Sequence, residues 1–210
     1  MKSKAKARKP VKITQLIKSG RLSPMSPITL ISEKLGINWL MMFDDEYVYG
    51  PTPGITEAAD LLITHLKPKT VIDLFGGSGA LSKLAVKKGV KKVVYVDLYP
   101  EAAVLNLKKQ KGIQIIKDDV FDFLERDVRC DLLIADPPED LIDEVLRRTK
   151  NIRRIIRKAA LIWLGAYPPA KKRMHKTRTT TVIEAWGDSF AVLWKPGYSE
   201  KIRDIKKRLE

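Results

Sequence analysis

The sequence is poor in the residues that form disulfides and metal sites. Cys130 is the single cysteine among 210 residues, so the chain cannot form an internal disulfide. Scarce cysteine is typical of a reducing compartment, and a cytoplasmic location is expected. His65 and His175 are far apart and have no cysteine neighbours, so no metal site is predicted. Cys130 opens an apolar segment and is expected to be a small buried residue, not a nucleophile.

Long apolar segments are also missing. No run approaches the length of about 20 residues that a membrane-spanning helix needs, and the charged start "MKSKAKARKP" is followed by no apolar region of the signal-peptide type. Neither a membrane span nor a signal peptide is therefore predicted. Asn, Gln and Cys are scarce whereas Lys, Arg and Ile are plentiful, a composition that hints at a heat-adapted source.

Acidic residues are outnumbered by basic ones. The chain has 40 Lys and Arg against 25 Asp and Glu, which gives a formal net charge of +15. This charge favours nucleic acid or another anionic surface as partner, although a merely soluble basic protein would show the same excess. Residues 1–12 are predicted to be a mobile basic arm. Hydrophobic residues make up 44% of the chain, enough for a sizeable core.

From residue 55 onwards, predicted strands and helices alternate. Continuous apolar strands such as "TVIDLF" and "CDLLIADPP" alternate with helical segments, a pattern typical of a parallel sheet covered on both faces. Two β-rich runs about Gly187 and Asp188 predict an antiparallel hairpin near the end. The expected fold class is α/β, a Rossmann-like doubly wound sheet of seven mostly parallel strands. Residues 1–46 are expected to form the basic arm and a small extension, and 47–210 the main domain.

The extension itself is less regular. "SPITLISEKLG" predicts a short helix that begins after Ser26 and ends at Gly36. "INWLMMF" fits either a strand or a buried stretch, and "DDEYVYGPTPG" is rich in turn residues. The same reasoning predicts one long helical segment at 139–159 and a strand from Ala160.

A glycine-rich turn, "DLFGGSGALS" at residues 73–82, connects a predicted strand to a predicted helix. In an open parallel sheet, ligands bind beyond the carboxyl ends of the strands, and glycine allows a ligand to approach the backbone closely. The dinucleotide pattern G-x-G-x-x-G is incomplete, because Ser82 stands at its last glycine. Asp73 would repel an anionic pyrophosphate and would attract a cationic ammonium group. The turn therefore predicts a site for a cationic ligand.

"DLFGGSG" resembles motif I of the class I S-adenosylmethionine-dependent methyltransferases, and the resemblance covers roughly residues 47–165. It implies S-adenosylmethionine as cofactor, with Asp97 on the ribose hydroxyls, Asp119 on the adenine amino group and Val120 against the ring. "YGPTPG" resembles motif X, which lies near the methionine end. Read singly, Asp97 could be a simple strand terminator and Asp119 a helix cap. The implied cofactor contacts are Thr52, Pro53, Asp73, Phe75, Gly76, Gly77, Ser78, Gly79, Asp97, Leu98, Asp119 and Val120.

"ADPPED" resembles motif IV of the amino-methyltransferases, which usually reads D/N-P-P-Y/F. The resemblance implies that Asp136 and a main-chain carbonyl of Pro137–Pro138 accept the two N–H bonds of a target amine. Glu139 departs from the pattern, because an aromatic residue usually stands there and stacks on the target base. Glu139 is expected instead to cap the following helix. The candidates for the stacking ring are Phe43, Tyr47, Tyr49, Trp163 and Tyr167.

The basic segment "AKKRMHKTRT" is predicted to bind phosphates of RNA near the substrate cleft. Its basic residues are Lys171, Lys172, Arg173, Lys176 and Arg178. Structured RNA, ribosomal RNA first, is the expected partner of a monomeric enzyme that methylates a base amine. "DLFGGSGAL" is similar to motif I of small ribosomal RNA guanine-N2 methyltransferases, whereas the early motif X is similar to that of cytosine-N4 and adenine-N6 enzymes. A heat-adapted archaeal enzyme acting on cytosine N4 would combine these features, so cytosine N4 is favoured, followed by guanine N2 and adenine N6. The alternatives are a DNA amino-methyltransferase, a protein lysine methyltransferase and a fold that only binds RNA.

Overall fold

The computed structural model describes residues 9–43, 47–166, 178–185 and 187–209. Within these ranges, a seven-stranded sheet is covered by helices and is joined by a smaller three-stranded sheet from the N-terminal part of the chain. No helix in the described ranges is both long and apolar enough to span a membrane.

The N-terminal part forms a small antiparallel sheet with two helices. Strands β1 (Lys9–Lys12), β2 (Trp39–Phe43) and β3 (Tyr47–Tyr49) lie in the order β1-β2-β3. Between β1 and β2 are helices α1 (Ile13–Lys18) and α2 (Pro27–Leu35). The predicted bounds of α2 are confirmed: the Ser26 hydroxyl accepts a hydrogen bond from the Thr29 N–H, and Gly36 ends the helix with φ 70°.

Two predictions for this part are wrong. Lys9–Lys12 were assigned to the mobile arm but pair with β2, and residues 1–8 of that arm lie outside the described ranges. Tyr47–Tyr49 were assigned to a turn-rich stretch but form β3, with Tyr49 opposite Met41. In both cases pairing with β2 overrides a weak local preference, because strand formation depends on the neighbouring strand more than on the segment itself.

The main sheet confirms the predicted fold class. Its strand order is β6-β5-β4-β7-β8-β10-β9, and the first five strands are parallel. Strand β10 is antiparallel to both of its neighbours, as expected for a hairpin with β9. The strands are β4 (Thr70–Leu74), β5 (Lys92–Asp97), β6 (Ile113–Lys117), β7 (Cys130–Ala135), β8 (Ile156–Ala166), β9 (Thr180–Ala185) and β10 (Asp188–Trp194).

The helices that cover the sheet follow the alternation read from the sequence. They are α3 (Pro53–Leu66), α4 (Ala80–Lys87), α5 (Glu101–Leu107), α6 (Val120–Glu125), α7 (Ile142–Arg147), α8 (Thr149–Ile155) and α9 (Ser199–Leu209). The segment predicted as one helix from residue 139 instead divides into a 3₁₀ turn at Glu139–Leu141, then α7 and α8. Strand β8 begins at Ile156, earlier than predicted, because it pairs with β7 and β10 on both sides.

Burial follows from the sheet being covered on both faces. All six residues of β7 are buried, including Cys130, as predicted. Burial raises the pKa of the Cys130 thiol to about 12, so this thiol is a poor nucleophile. The N-terminal part shares a hydrophobic cluster with α3 and α4 through residues such as Leu16 and Leu40. The predicted division at residue 47 stays a prediction.

Strand order reverses between β4 and β7. The chain proceeds from β4 towards β6 on one side and from β7 towards β9 on the other. At such a switch point the connections leave the sheet in opposite directions and open a crevice at the carboxyl ends. The glycine turn follows β4, and the "DPPE" segment follows β7, so the two predicted motifs lie side by side.

Candidate active site

Two adjoining cavities lie at the carboxyl ends of β4, β5 and β7. The larger has a volume of about 540 Å³ and the smaller about 280 Å³. They share the residues Tyr49, Phe75, Gly77, Asp136 and Pro138. Volumes of this order fit a small-molecule cofactor beside a second reactant.

The glycine turn lies against both cavities, but its glycines have different roles. A Cβ at Gly76 would lie 2.2 Å from the Tyr95 ring, and one at Gly79 would lie 2.7 Å from Leu107. These two glycines are therefore required by packing. Gly77 has φ 51°, and a Cβ there would make no contact closer than 3.9 Å, to the Phe75 carbonyl oxygen, so it is the glycine of this turn at which a ligand can approach the backbone.

Phe75 is the strained residue of the turn. Its φ of 57° lies in the left-handed region, which non-glycine residues rarely adopt. The side chain lines both cavities and packs edge-on against Phe121, with ring centroids 6.1 Å apart. Strain of this kind concentrates at ligand sites.

Asp73 is completely buried behind the turn. Its Oδ2 accepts hydrogen bonds from the Ser82 N–H at 2.9 Å and from the Ser82 hydroxyl at 2.6 Å. Ser82, which breaks the dinucleotide glycine pattern, therefore has a defined role. Oδ1 of Asp73 is buried and has no hydrogen-bond partner in the described part of the chain. Burial raises the pKa of Asp73 to about 7 against the lowering effect of Ser82, and the charges of Asp136 and Asp97 add to the rise.

Asp97 and Asp119 hold backbone amides at the edge of the larger cavity. Asp97 accepts from the Gly77 N–H at 2.9 Å and from the Tyr99 N–H at 2.7 Å. Asp119 caps α6 by accepting from the Phe121 N–H at 2.7 Å. The structure thus shows the helix-cap role of Asp119. The predicted contacts of both carboxylates with ribose and adenine remain predictions, and Leu98 and Val120 line the same cavity.

Asp136 lies in the wall that the two cavities share. Its Oδ2 accepts a hydrogen bond from the Thr52 hydroxyl at 2.9 Å. Burial raises the pKa of Asp136 to about 7; the Thr52 bond lowers it, and the charge of Asp188 raises it. Thr52 precedes Pro53, the first residue of α3, and so the predicted motif X and motif IV meet at this bond. A carboxyl group with such a pKa can accept a proton near neutral pH.

The two prolines and Glu139 form the end of the "DPPE" segment. The Pro138 carbonyl accepts from the Leu141 N–H at 2.9 Å, which begins the 3₁₀ turn. Pro137 is buried and, like Glu139, lines the smaller cavity. Glu139 stands in the first turn of the 3₁₀ helix, where its charge is favourable. Its side chain makes no hydrogen bond to another residue of the described ranges.

Two of the five aromatic candidates lie at the smaller cavity. Tyr49 is 46% exposed and lines both cavities, and Trp163 lines the smaller one. The Trp163 indole N–H donates to Asp188 Oδ1 at 3.1 Å, which fixes the orientation of the ring. The side chains of Phe43 and Tyr47, and the whole of Tyr167, lie outside the described part of the structure.

Sequence reasoning missed several residues of the site. Asp188 was assigned to the hairpin turn, yet it contacts Trp163 and influences Asp136, and no local signal could reveal this. Tyr99 and Phe121 each follow a predicted ligand by two positions, so a wider window around Asp97 and Asp119 would have included them. The other missed lining residues of the larger cavity are Met41, Asp140 and Leu141.

The predicted RNA-binding segment is not part of this site as described. Lys171, Lys172, Arg173 and Lys176 lie outside the described ranges. Arg178 is exposed just before β9, and that strand begins opposite Leu193, towards the amino end of β8. Arg178 therefore lies towards the edge of the sheet opposite the two cavities, and its contact with RNA phosphates stays a prediction.

The arrangement of the sheet and its turn is matched by a known family. A family model described as "Conserved hypothetical protein 95" matches residues 54–184. The chain belongs to this family. The match begins in α3 and ends in β9, so it includes the glycine turn, the "DPPE" segment and most of both cavities. No protein of curated function shows a significant sequence match.

Solved structures that are similar to this member of the Conserved hypothetical protein 95 family are named as methyltransferases. yhhF from Escherichia coli, a candidate methyltransferase, is 15% identical with a TM-score of 0.55, over 70% of this chain and 88% of that one. A ribosomal protein L11 methylase from Lactobacillus delbrueckii is 21% identical with a TM-score of 0.52, over 69% and 80%. SMU.776, a candidate methyltransferase complexed with SAH, is 16% identical with a TM-score of 0.50, over 74% and 53%. The chain has the fold of the class I methyltransferases.

Proposed function

We propose that this protein is an S-adenosylmethionine-dependent methyltransferase that modifies the exocyclic amine of an RNA base. The observation that carries the proposal is the position of Asp136. It lies between a cavity large enough for the cofactor and a smaller cavity beside it, and it is oriented by Thr52. A carboxylate at the junction of two cavities can contact a nucleophile that enters from one side and reacts with a group held in the other.

The charge of the site supports a cationic cofactor. Asp73 and Asp136 have raised pKa values, and neither forms an ion pair with a Lys or Arg of the described ranges. Carboxylates that are desolvated without a counter-charge are stabilised by a cation. S-adenosylmethionine carries a sulfonium and an ammonium group, and when bound it supplies an electrophilic methyl group.

The residues present fit this cofactor. Oδ1 of Asp73 is a buried acceptor without a partner among the described residues, and an ammonium group could supply one, although Asp73 itself lines neither cavity. Gly77 places no side chain between its backbone and the larger cavity, and Asp97 accepts a hydrogen bond from the Gly77 N–H. Among the implied contacts, Phe75, Gly77, Asp97, Leu98, Asp119 and Val120 line the larger cavity.

Asp136 has two properties that suit an amine substrate. As a carboxylate it accepts an N–H bond, which draws electron density towards a nitrogen whose lone pair is otherwise delocalised into the base. Its raised pKa makes it able to take the proton that this nitrogen loses once the N–C bond has formed. Thr52 holds one carboxylate oxygen, so the orientation is set before the substrate arrives.

Tyr49 and Trp163 support a planar base as the substrate. Both line the smaller cavity next to Asp136, and the Trp163 ring is fixed by Asp188. They replace the aromatic ring that is missing at Glu139, because aromatic side chains stack on bases with little dependence on sequence. The base would be presented unpaired, as RNA-modifying enzymes require.

Ribosomal RNA is the proposed substrate, with cytosine N4 as the favoured amine. The net charge of +15 supports a polyanionic partner, and the motif similarities described above favour RNA over DNA. Guanine N2 and adenine N6 are the next candidates. The similar ribosomal protein L11 methylase is named for a protein substrate, so a protein stays the alternative to RNA.

Nucleoside mass spectrometry of ribosomal RNA from a strain lacking the protein tests the proposal. We expect one methylated nucleoside to disappear and to return on expression of the wild-type protein but not of Asp136→Ala. Methyl incorporation by purified protein into the unmodified RNA should name the same nucleoside. If the RNA is unchanged while DNA or a protein loses a methyl group, the RNA assignment is wrong. If purified protein binds no S-adenosylmethionine, the cofactor assignment is wrong as well.

A further inference from the structure

In the described part of the chain, exposed lysines concentrate at the amino edge of the main sheet and not at the edge with the two cavities. The described connections that leave the carboxyl ends of β4, β5, β6 and β7 contain Asp118, Asp119 and Asp136 and no Lys or Arg. The 3₁₀ turn that follows β7 adds Glu139 and Asp140. The described part of the edge with the two cavities is therefore less basic than the amino edge, although Lys117 ends β6 there and Asp118 pairs with Arg126. The connection after β8 lies outside the described ranges.

The amino edge is basic. Connections that enter β4, β5 and β6 from the preceding helices carry a set of exposed lysines that form no ion pair with another described residue. We call them the amino-edge patch: Lys67, Lys69, Lys91, Lys92, Lys108, Lys109 and Lys111.

The patch is continuous across three neighbouring strands. The Lys92 N–H donates to the Lys69 carbonyl at 3.2 Å, and the Val93 N–H donates to the Gly112 carbonyl at 2.8 Å. Adjacent strands lie about 4.8 Å apart, so the backbones that carry these lysines lie within about one Debye length of each other at physiological salt. Their like charges interact and sum to one positive surface.

Helix dipoles explain only part of this pattern. Cations are favoured near the carboxyl end of a helix, and Lys108 and Lys109 directly follow α5, with Lys108 as its C-cap residue. Lys69, Lys91 and Lys92 adjoin the beginnings of strands, where no such preference exists. These lysines repel one another, and no ion pair with a described residue compensates this repulsion. A bound polyanion would compensate it.

We propose that the amino-edge patch binds the phosphate backbone of a structured RNA, on the side of the molecule opposite the Asp136 site. An RNA large enough to present a base at one edge would contact the other edge with a second segment. The proposal concerns binding alone, and it does not depend on which atom is methylated.

The test measures binding of a fluorescein-labelled RNA hairpin by anisotropy over a range of salt concentrations. The patch variant carries Lys69→Gln, Lys91→Gln, Lys92→Gln and Lys111→Gln. A matched control carries Lys201→Gln, Arg203→Gln, Lys207→Gln and Arg208→Gln, which remove the same charge from exposed positions of α9.

We expect the patch variant to lose affinity and to show a salt dependence shallower by roughly three units of slope, since each lost phosphate contact removes about 0.7–0.9. The control should retain most of the affinity. An unchanged slope in the patch variant, or an equal loss in the control, would overturn the proposal. S-adenosylmethionine binding by the patch variant, measured by calorimetry, should equal that of wild type. The hairpin assay measures RNA binding and not methyl transfer. It therefore still tests the amino-edge patch if the methylation proposal fails.

Discussion

The hydroxyl of Thr52 donates a hydrogen bond to Oδ2 of Asp136 at 2.9 Å, and so joins two residues that are 84 positions apart in the chain. Thr52 precedes α3 and Asp136 follows β7, so the bond connects the helix before the sheet to the centre of the sheet. It lowers the pKa of Asp136 against the effect of burial and orients the carboxylate towards the cavities. The chemistry of the site depends on this pair.

Replacement of Asp136 by Ala should abolish methyl transfer. Ala removes the acceptor of the amine N–H bond together with the charge and the capacity to take a proton, whereas Asn would keep an acceptor and also occurs at this position of motif IV. We expect the transfer rate to fall by at least about 100-fold, the usual scale for loss of an acid–base group. A radiolabelled methyl assay measures the rate, and calorimetry measures cofactor binding, which should change little. Asp122→Ala, on the exposed face of α6, is the control. A rate near that of wild type would contradict the role of Asp136.

The pH dependence of kcat/KM should shift in opposite directions in two variants. In the wild type, activity should rise as the pH passes the Asp136 pKa of about 7, because the carboxylate is the active form. Thr52→Val removes a bond that lowers this pKa, so the rise should move to higher pH. Asp188→Asn removes a charge that raises it, so the rise should move to lower pH, while the Asn oxygen can still accept from Trp163. Shifts in the same direction would exclude this assignment.

Replacement of Trp163 by Leu should weaken RNA recognition without loss of cofactor. Stacking on an aromatic side chain contributes about 1–3 kcal/mol per base, so we expect KM for RNA to rise roughly 5- to 100-fold. Cofactor affinity should stay the same, because Trp163 lines only the smaller cavity and not the larger one, which holds the proposed cofactor site. Trp39→Leu, away from both cavities, should have no such effect on KM. Equal KM values in the two variants would remove Trp163 from base recognition.

The sequence indicated the sheet well because its signals are local. Buried strands such as Cys130–Ala135 are apolar along their whole length, and Gly36 and Ser26 mark the ends of α2. β3 and the early start of β8 were missed because they depend on pairing with other strands. The C-terminal helix α9 was not assigned, although Ile202, Ile205 and Leu209 follow helical spacing.

For the site, the order of motifs along the strands placed Asp73, Asp97 and Asp136 near the same edge. The interpretation of the glycines was only partly right. A side chain at Gly76 would clash with Tyr95 and one at Gly79 with Leu107, and both of these residues lie elsewhere in the sequence. The contribution of Asp188 required the hairpin to fold back beside β8. Contacts of this kind arise from the fold and leave no pattern in a short window.

Asp73 should cost stability as the pH rises in the absence of cofactor. Its pKa in the folded protein is raised to about 7 from 3.8, so the unfolded state releases the proton first. This contribution to stability is fully present below the lower value and is lost as the pH passes from about 4 to about 7. The difference in melting temperature between Asp73→Asn and wild type should therefore favour the variant more at pH 8 than at pH 5.

The cofactor should reverse this effect of Asp73. Binding to the folded state alone raises its stability, and a buried carboxylate that holds an ammonium group contributes to that binding. We expect S-adenosylmethionine to raise the melting temperature of the wild type much more than that of Asp73→Asn. An equal rise in both proteins would show that Asp73 does not contact the cofactor, while the pH comparison would still test its burial.

Asn106 should prove essential to the contact between the N-terminal part and the glycine turn. Its Oδ1 accepts from the Asn38 N–H at 2.9 Å and the Trp39 N–H at 3.0 Å. Its Nδ2 donates to the carbonyls of Trp39 and Ser78, each at 2.8 Å. Asn106→Leu would leave these backbone groups without partners in a buried place. Each such group costs about 1–3 kcal/mol, so we expect at least about 2 kcal/mol of lost stability by urea unfolding.

The same substitution should weaken the cofactor site, because Ser78 directly follows Gly77, a residue of the turn that lines the larger cavity. Asn151→Leu is the matched control: Asn151 is half-buried on α8, and its side chain donates to Glu125 at an exposed position. It should change the free energy of unfolding little and leave cofactor affinity intact. If Asn106→Leu lowers stability but not affinity for S-adenosylmethionine, the N-terminal part stabilises the fold without positioning the turn. The four hydrogen bonds would then contribute to the free energy of unfolding and not to the geometry of the cofactor site.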